Sequence, residues 1–142
     1  MGNVLGELYV VCNARLYRVA PDGGVERIID GDMFTSNGLA WSPDGRRMYH
    51  SDSSGLMLQA FDFDAATGRI GPAERLHDFA PDEGRPDGAA TDCEGCYWSA
   101  GVQAGRLNRF SGCRSRDRPC PVSAVPISRR STLQVSSPRR TE

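Results

Sequence analysis

The sequence predicts an all-β chain: about three consecutive blades of a β-propeller over residues 1–111, followed by an irregular tail over residues 112–142. Three observations lead there. The segment Asn37-Gly38-Leu39-Ala40-Trp41-Ser42-Pro43-Asp44-Gly45 aligns with Asp87-Gly88-Ala89-Ala90-Thr91-Asp92-Cys93-Glu94-Gly95 at an offset of 50 residues, and with one residue deleted Met48-Tyr49 then matches Tyr97-Trp98. A second marker, Arg15-Leu16-Tyr17-Arg18-Val19, returns around Leu58 and again around Leu107, at spacings of 42 and 49 residues, which is the length of a four-stranded blade. Both patterns stop after Phe110-Ser111, where a Pro-Asp-Gly turn is due and Gly112-Cys113-Arg114-Ser115-Arg116 stands instead.

The text within one period favours strands over helices, because short aromatic and apolar runs alternate with turn signals about every ten residues. One blade can be followed element by element. Gly38 to Trp41 is a small-residue inner strand, and Pro43-Asp44-Gly45 is its turn. Met48 to Asp52 is the second strand and Met57 to Asp62 the third; after a turn at Thr67-Gly68, Ala73 to Phe79 is the fourth. In the third strand Leu58, Ala60 and Asp62 fall on one face and Phe61 and Phe63 on the other, so neighbouring sheets can cover both faces.

Composition narrows the class. Hydrophobic residues make up 39% of the chain, enough for a core. No run approaches the roughly 20 apolar residues of a membrane-spanning helix. The start, Met1-Gly2-Asn3-Val4, lacks a charged region followed by an apolar one, so a cytoplasmic protein without a membrane partner is expected. Five cysteines (Cys12, Cys93, Cys96, Cys113, Cys120) are an odd number, and reduced thiols are expected. All 17 basic residues are Arg, which suggests a GC-rich coding sequence. Residues 1–111 hold 10 Arg against 16 acidic residues, whereas residues 112–142 hold 7 Arg against 2. That tail, with 6 Ser, 4 Pro and no aromatic residue, has the composition of disorder and of a frameshifted reading. Without Lys or interleaved aromatics it is not read as a nucleic-acid binder.

At Ser36 to Gly45, Tyr49 to Ser53, Ala60-Phe61-Asp62-Phe63-Asp64, Thr67-Gly68 and Arg85-Pro86-Asp87-Gly88 the sequence resembles the senescence marker protein/gluconolactonase (regucalcin-like) family, over roughly residues 15–111. The resemblance implies a segment of a six-bladed propeller with one divalent metal ion in the central channel, and metal-dependent hydrolysis of a small-molecule sugar lactone. It makes Asn37 and Asp87 metal ligands and Asp87 also the catalytic general base or water-positioning group. Their own chemistry agrees with that role. Both precede a Gly at the entry of an inner strand in successive repeats, and an amide oxygen with a carboxylate oxygen suits Ca²⁺ or Mg²⁺, with Zn²⁺ or Mn²⁺ tolerated.

The sequence also departs from the family. Neither Glu7 nor Glu26 stands in the Glu-Gly-Pro context of the family's third protein ligand, and Cys12-Asn13-Ala14-Arg15 is a poor match to its substrate-binding Arg-x-Asn-Asp-Gly run. The chain is therefore expected to be an incomplete propeller, inactive alone and prone to self-association through exposed blade edges. A non-catalytic fragment or binding module is the competing reading, and a phosphotriesterase-like hydrolase on the same fold a further one. Asp22-Gly23 and Asp44-Gly45 read as hairpin turns, and Asp52 as a strand-end hydrogen-bonding residue. Cys93 and Cys96 read as a hairpin turn with no zinc partner pair. His50 and His77 read as surface or strand-face residues.

Overall fold

Antiparallel pairing between consecutive strands organises the chain. The computed structural model describes residues 7–12, 14–29 and 33–110, together with the backbone of residues 122–126. Strands β1 (Leu8–Cys12), β2 (Arg15–Val19) and β3 (Val25–Ile29) form a first sheet. In the second, β4 (Ser36–Trp41), β5 (Arg47–Asp52) and β6 (Met57–Asp64) pair in order; β7 (Arg69–Ile70) closes a hairpin on the end of β6, and β8 (Glu74–Asp78) takes the outer position beside β6. The third sheet runs β9 (Arg85–Thr91), β10 (Tyr97–Val102), β11 (Arg106–Phe110) and β12 (Val122–Pro126). Among the described residues there is no helix, and the sheets are successive blades of a propeller.

The blade read from the sequence is the second sheet, where each of the four expected strands lies within two residues of its expected bounds and the two-residue β7 is an addition. Strand β12 was not expected. It lies inside the 112–142 segment whose composition reads as irregular, and its Val122-Ser123-Ala124-Val125-Pro126 backbone pairs with Phe110 to Arg106. Its short apolar run suffices for an outer edge strand, where a proline is tolerated. The other residues expected to be disordered, 112–121 and 127–142, lie outside the described residues.

The cores lie between sheets. Tyr9, Leu16, Ile29, Met33, Met48, Phe61 and Phe63 fill the space between the first and second blades. Ala40, Tyr49, Leu58, Ala60, Phe79, Tyr97 and Phe110 fill that between the second and third. Along β6 the alternation is the expected one, with Leu58 and Ala60 toward the third blade and Phe61 and Phe63 toward the first. The Leu marker obeys the same rule. Leu16, Leu58 and Leu107 each sit opposite the corresponding residue of the preceding strand (Val11, Ser51 and Ala100), and each faces away from the blade before it. Leu16 and Leu58 are thereby buried against the next blade, and Leu107 is left half-buried on the last sheet. The two end sheets keep apolar residues on their outer faces: Leu8, Val10 and Val25 on the first, Val102 beside Leu107 on the third.

The His50 side chain is wholly enclosed in the second blade. The His50 ring accepts at Nδ1 from the Gln59 amide (3.3 Å) and reaches the Ser36 hydroxyl through Nε2, which makes it neutral with the proton on Nε2. Burial pushes its pKa down to about 4, against the opposing pull of the nearby Asp52 carboxylate. The sequence reads His50 as a surface or strand-face residue; it stands on β5, but fully buried rather than at the surface.

Two outcomes are expected. Phe110→Ala removes a ring that contacts Phe79 (5.6 Å), His77 (5.1 Å) and Tyr97 (6.0 Å), and should cost about 3–5 kcal/mol in urea unfolding. In the unfolded chain His50 takes up a proton near pH 6.5 but in the folded chain not until about pH 4, so stability should be full above pH 6.5 and fall as the pH drops toward 4. Between pH 7 and pH 5 the loss should be about 2 kcal/mol by denaturant titration, and His50→Asn should flatten that slope.

Candidate functional site

Asn37 and Asp87 stand at the entries of β4 and β9, the first strands of their sheets, which pack side by side across the blade boundary. Both strands carry a bulge there. Four residues of β4 (Asn37 to Ala40) lie against three of β5 (Ser51 to Tyr49), and four of β9 (Pro86 to Ala89) against three of β10 (Gly101 to Ser99). A bulge of this kind re-aims a side chain out of the sheet's regular alternation. Asp87 lies inside its bulge and is exposed, while the preceding Pro86 is buried.

The two candidate ligands meet. Asn37 Nδ2 donates to Asp87 Oδ1 (2.5 Å) and to Ser53 Oγ (3.2 Å), and the Ser53 hydroxyl donates to the Pro86 carbonyl. Asn37 Oδ1 accepts from the Gly38 N–H at 3.0 Å. A half-turn of the amide exchanges its nitrogen and oxygen, so the same position can offer Asp87's neighbourhood an oxygen. An amide oxygen and a carboxylate from adjacent blades fit two positions in the shell of a hard divalent cation. Ser53 was not foreseen as part of this cluster; its signal in the sequence is its place directly after Asp52.

Tyr97 and Asp52 hold the arrangement in place. The buried Tyr97 hydroxyl donates to the Gly38 carbonyl (2.7 Å), and farther along the same boundary Thr91 Oγ1 donates to the Trp41 carbonyl (2.5 Å). Asn37 with Asp87 and Trp41 with Thr91 are the same repeat-equivalent pairs that the 50-residue offset aligns. Asp52 gathers the lead-in to β4: its carboxylate accepts the N–H groups of Phe34 (2.7 Å), Thr35 (2.9 Å), Ser54 (3.0 Å) and Gly55 (2.9 Å). Burial opposes the charged carboxylate, yet these four N–H donors outweigh it and hold Asp52 below the usual carboxylate range. It is thus the strand-end clamp that the sequence suggested.

Other candidates are engaged elsewhere. Glu7 and Glu26 both pair with Arg18, at 3.4 Å and 2.5 Å, and neither supplies a third ligand at Asn37. His77 pairs with Glu83 at 2.9 Å. Asp92, Glu94 and Cys96 bring donor atoms within 4.8 Å of one another, but this is the β9–β10 hairpin turn. Asp92 accepts from Trp98 Nε1 (2.8 Å) and from the Cys96 N–H (2.9 Å), bonds that hold its carboxyl below the usual range. Burial pushes the Cys96 thiol up, away from the thiolate that a metal requires.

Gly38 is the position at which this site is least tolerant. Its φ is +56°, and a Cβ there would lie 2.1 Å from Ser51 Oγ, 2.4 Å from Tyr97 Oη and 3.1 Å from the Asp87 carbonyl oxygen. Gly38→Ala should therefore lower stability by about 2–4 kcal/mol, from left-handed strain and overpacking together, measured as a lower urea midpoint at unchanged slope.

Comparison with known proteins agrees with this architecture. Residues 4–129 match the model of the SMP-30/gluconolactonase/LRE-like region. Regucalcin of Danio rerio is 41% identical over 100 residues, covering 70% of this chain and 34% of that protein. The 6-deoxy-6-sulfogluconolactonase of Pseudomonas putida is 45% identical over 86 residues, covering 60% of this chain and 29% of that protein. The crystal structure of regucalcin from Agrobacterium tumefaciens, a calcium-binding protein, superposes with a TM-score of 0.68 at 30% identity, covering 77% of this chain and 39% of that one. The chain spans about a third of the length of the curated relatives it matches. The repeat, the blades and the matched residues place this chain in the SMP-30/gluconolactonase/LRE-like family.

Proposed function

We propose that the chain carries part of the active site of a metal-dependent sugar lactonase, with Asn37 and Asp87 as two ligands of a divalent cation, Ca²⁺ or Zn²⁺, and Mg²⁺ or Mn²⁺ as substitutes. The observation that supports it is the meeting of an amide and a carboxylate, 50 residues apart, at the boundary of two blades. Relatives named as a sulfogluconolactonase and as a calcium-binding protein point to the same chemistry.

A bound divalent cation would supply Lewis-acid polarisation of a carbonyl and greater acidity of water. Asp87, exposed at the bulge, orients the attacking water and takes its proton as the water oxygen bonds to the lactone carbonyl carbon. The ring C–O bond then breaks, the departing oxygen takes a proton, and a hydroxy acid results. Asn37 holds the carboxylate in position, and Ser53 fixes the amide against the Pro86 carbonyl.

With Glu7 and Glu26 committed to Arg18, the chain alone offers an incomplete ligand set and is inactive as a monomer. Self-association through the apolar outer faces, where Val25 is 67% and Leu8 47% exposed, is its route to a closed site. The same commitment of the two glutamates favours the competing reading, a blade segment with no chemistry.

Calorimetry with Ca²⁺ and Zn²⁺ on the purified chain and on Asp87→Ala, with gluconolactone hydrolysis and sedimentation on the same samples, separates the two. Metal binding is expected in the parent chain and should weaken at least about tenfold when the carboxylate is removed, with any turnover confined to the associated form and lost in the variant. Absence of binding in both would sink the lactonase reading and leave a structural segment.

A further inference from the structure

We propose that the cleft between the β5–β6 and β10–β11 turns is an oxyanion subsite, in which Arg85 and Arg106 hold a phosphate, sulfonate or carboxylate group of a ligand. The cleft is a cavity of about 490 Å³ between Leu56, the Ala80 to Asp82 turn with Gly84 and Arg85, and Gln103 to Arg106. That volume is in the range of small-molecule sites.

Strand register places it on the edge that carries the Asn37–Asp87 pair. Ser36 pairs with Asp52 and Asp52 with Met57, so the β5–β6 turn lies where β4 begins. Arg85 pairs with Val102, so the β10–β11 turn lies where β9 begins. Arg85 is two residues before Asp87 on the same strand, roughly 7 Å away along it.

The walls are fixed by backbone rather than by adjustable side chains. Gly84 has φ +76°, and a Cβ there would lie 2.6 Å from the Val102 carbonyl oxygen and 2.8 Å from Ala104 Cβ; at Gly101 it would lie 2.1 Å from the Glu83 carbonyl oxygen. Leu56 and Gln103, both lining residues, hold φ of +51° and +74°, which is uncommon for side-chain-bearing residues and recurs at binding sites.

The charge on the lining is unbalanced. Two guanidinium groups face the single carboxylate of Asp82. Arg106 is tethered through Nη1 alone, to the Asp82 carbonyl (2.8 Å) and to Asp82 Oδ2 (3.3 Å), which leaves its Nη2 and Nε without a hydrogen-bond partner among the described residues. Arg85 is exposed and has neither an ion pair nor a side-chain hydrogen bond among the described residues. A guanidinium held in place with two nitrogens to spare is the fork that oxyanions accept.

This subsite rests on Arg85 and Arg106, independently of hydrolysis at Asp87, and the experiment keeps the two apart. Inorganic phosphate is titrated into the whole chain at low salt, followed by gluconate 6-phosphate and gluconate. The expected results are phosphate binding that Arg85→Gln weakens about tenfold, partial recovery in Arg85→Lys, and no change in Asp87→Ala, which loses metal binding alone. Gluconate 6-phosphate should bind about tenfold more tightly than gluconate, with the difference gone in Arg85→Gln. Because the Arg85 side chain is exposed and makes no ion pair or side-chain hydrogen bond among the described residues that its loss would break, the variant is expected to fold. No phosphate binding in the parent chain, equal binding in Arg85→Gln, or equal affinity for the two sugar acids would each overturn the proposal.

Discussion

The hydrogen bond from the buried Tyr97 hydroxyl to the Gly38 carbonyl joins two blades at the point where both of their first strands bulge. A sheet in this architecture has no core of its own. Its two faces are covered by neighbours, so blade geometry and blade contact are a single constraint. Tyr97 satisfies it twice, because its ring fills the apolar boundary with Tyr49 and Phe110 while its hydroxyl neutralises a buried carbonyl. The space for that hydroxyl exists only because residue 38 has no side chain. The positions of Asn37, Ser53 and Asp87 follow from this approach.

Much of the architecture was legible because it is written in features that repeat. The 50-residue offset, the Pro-Asp-Gly turn and the alternation of Leu58 and Ala60 with Phe61 and Phe63 all depend on local chain geometry, and each reappears in the second blade. What escaped depends on contacts distant in sequence. Nothing near His50 in the chain shows that Gln59 and Ser36 will enclose it. Strand β12 is an outer strand whose place comes from hydrogen bonds with β11, and composition cannot reveal a partner.

The candidate site divides in the same way. Asn37 and Asp87 were found by equivalence between repeats and by family resemblance, and the structure brings them together. The bulges were invisible, since an extra residue in one strand has meaning only against the count in its partner. Arg85 entered the sequence reading only as part of the Arg85-Pro86-Asp87-Gly88 run, and neither it nor Arg106 was singled out as a site residue. Each is an ordinary surface arginine in the text, and only the register of β9, β10 and β11 gathers them around one cavity with Asp82.

The Asn37–Asp87 contact closes a loop of 50 residues with two short side chains. A ligand that seats on that pair binds the folded chain, where the two residues meet, and not the unfolded one, so its binding free energy would add to the stability of the blade boundary. Such a ligand would raise the melting temperature, and a substitution that opens the blade boundary would weaken its binding to the extent that the paired arrangement is no longer the populated one. Recognition at this pair would thus be coupled to folding through a single contact, and sequence change that opens the interface would erode binding before any ligand residue is altered.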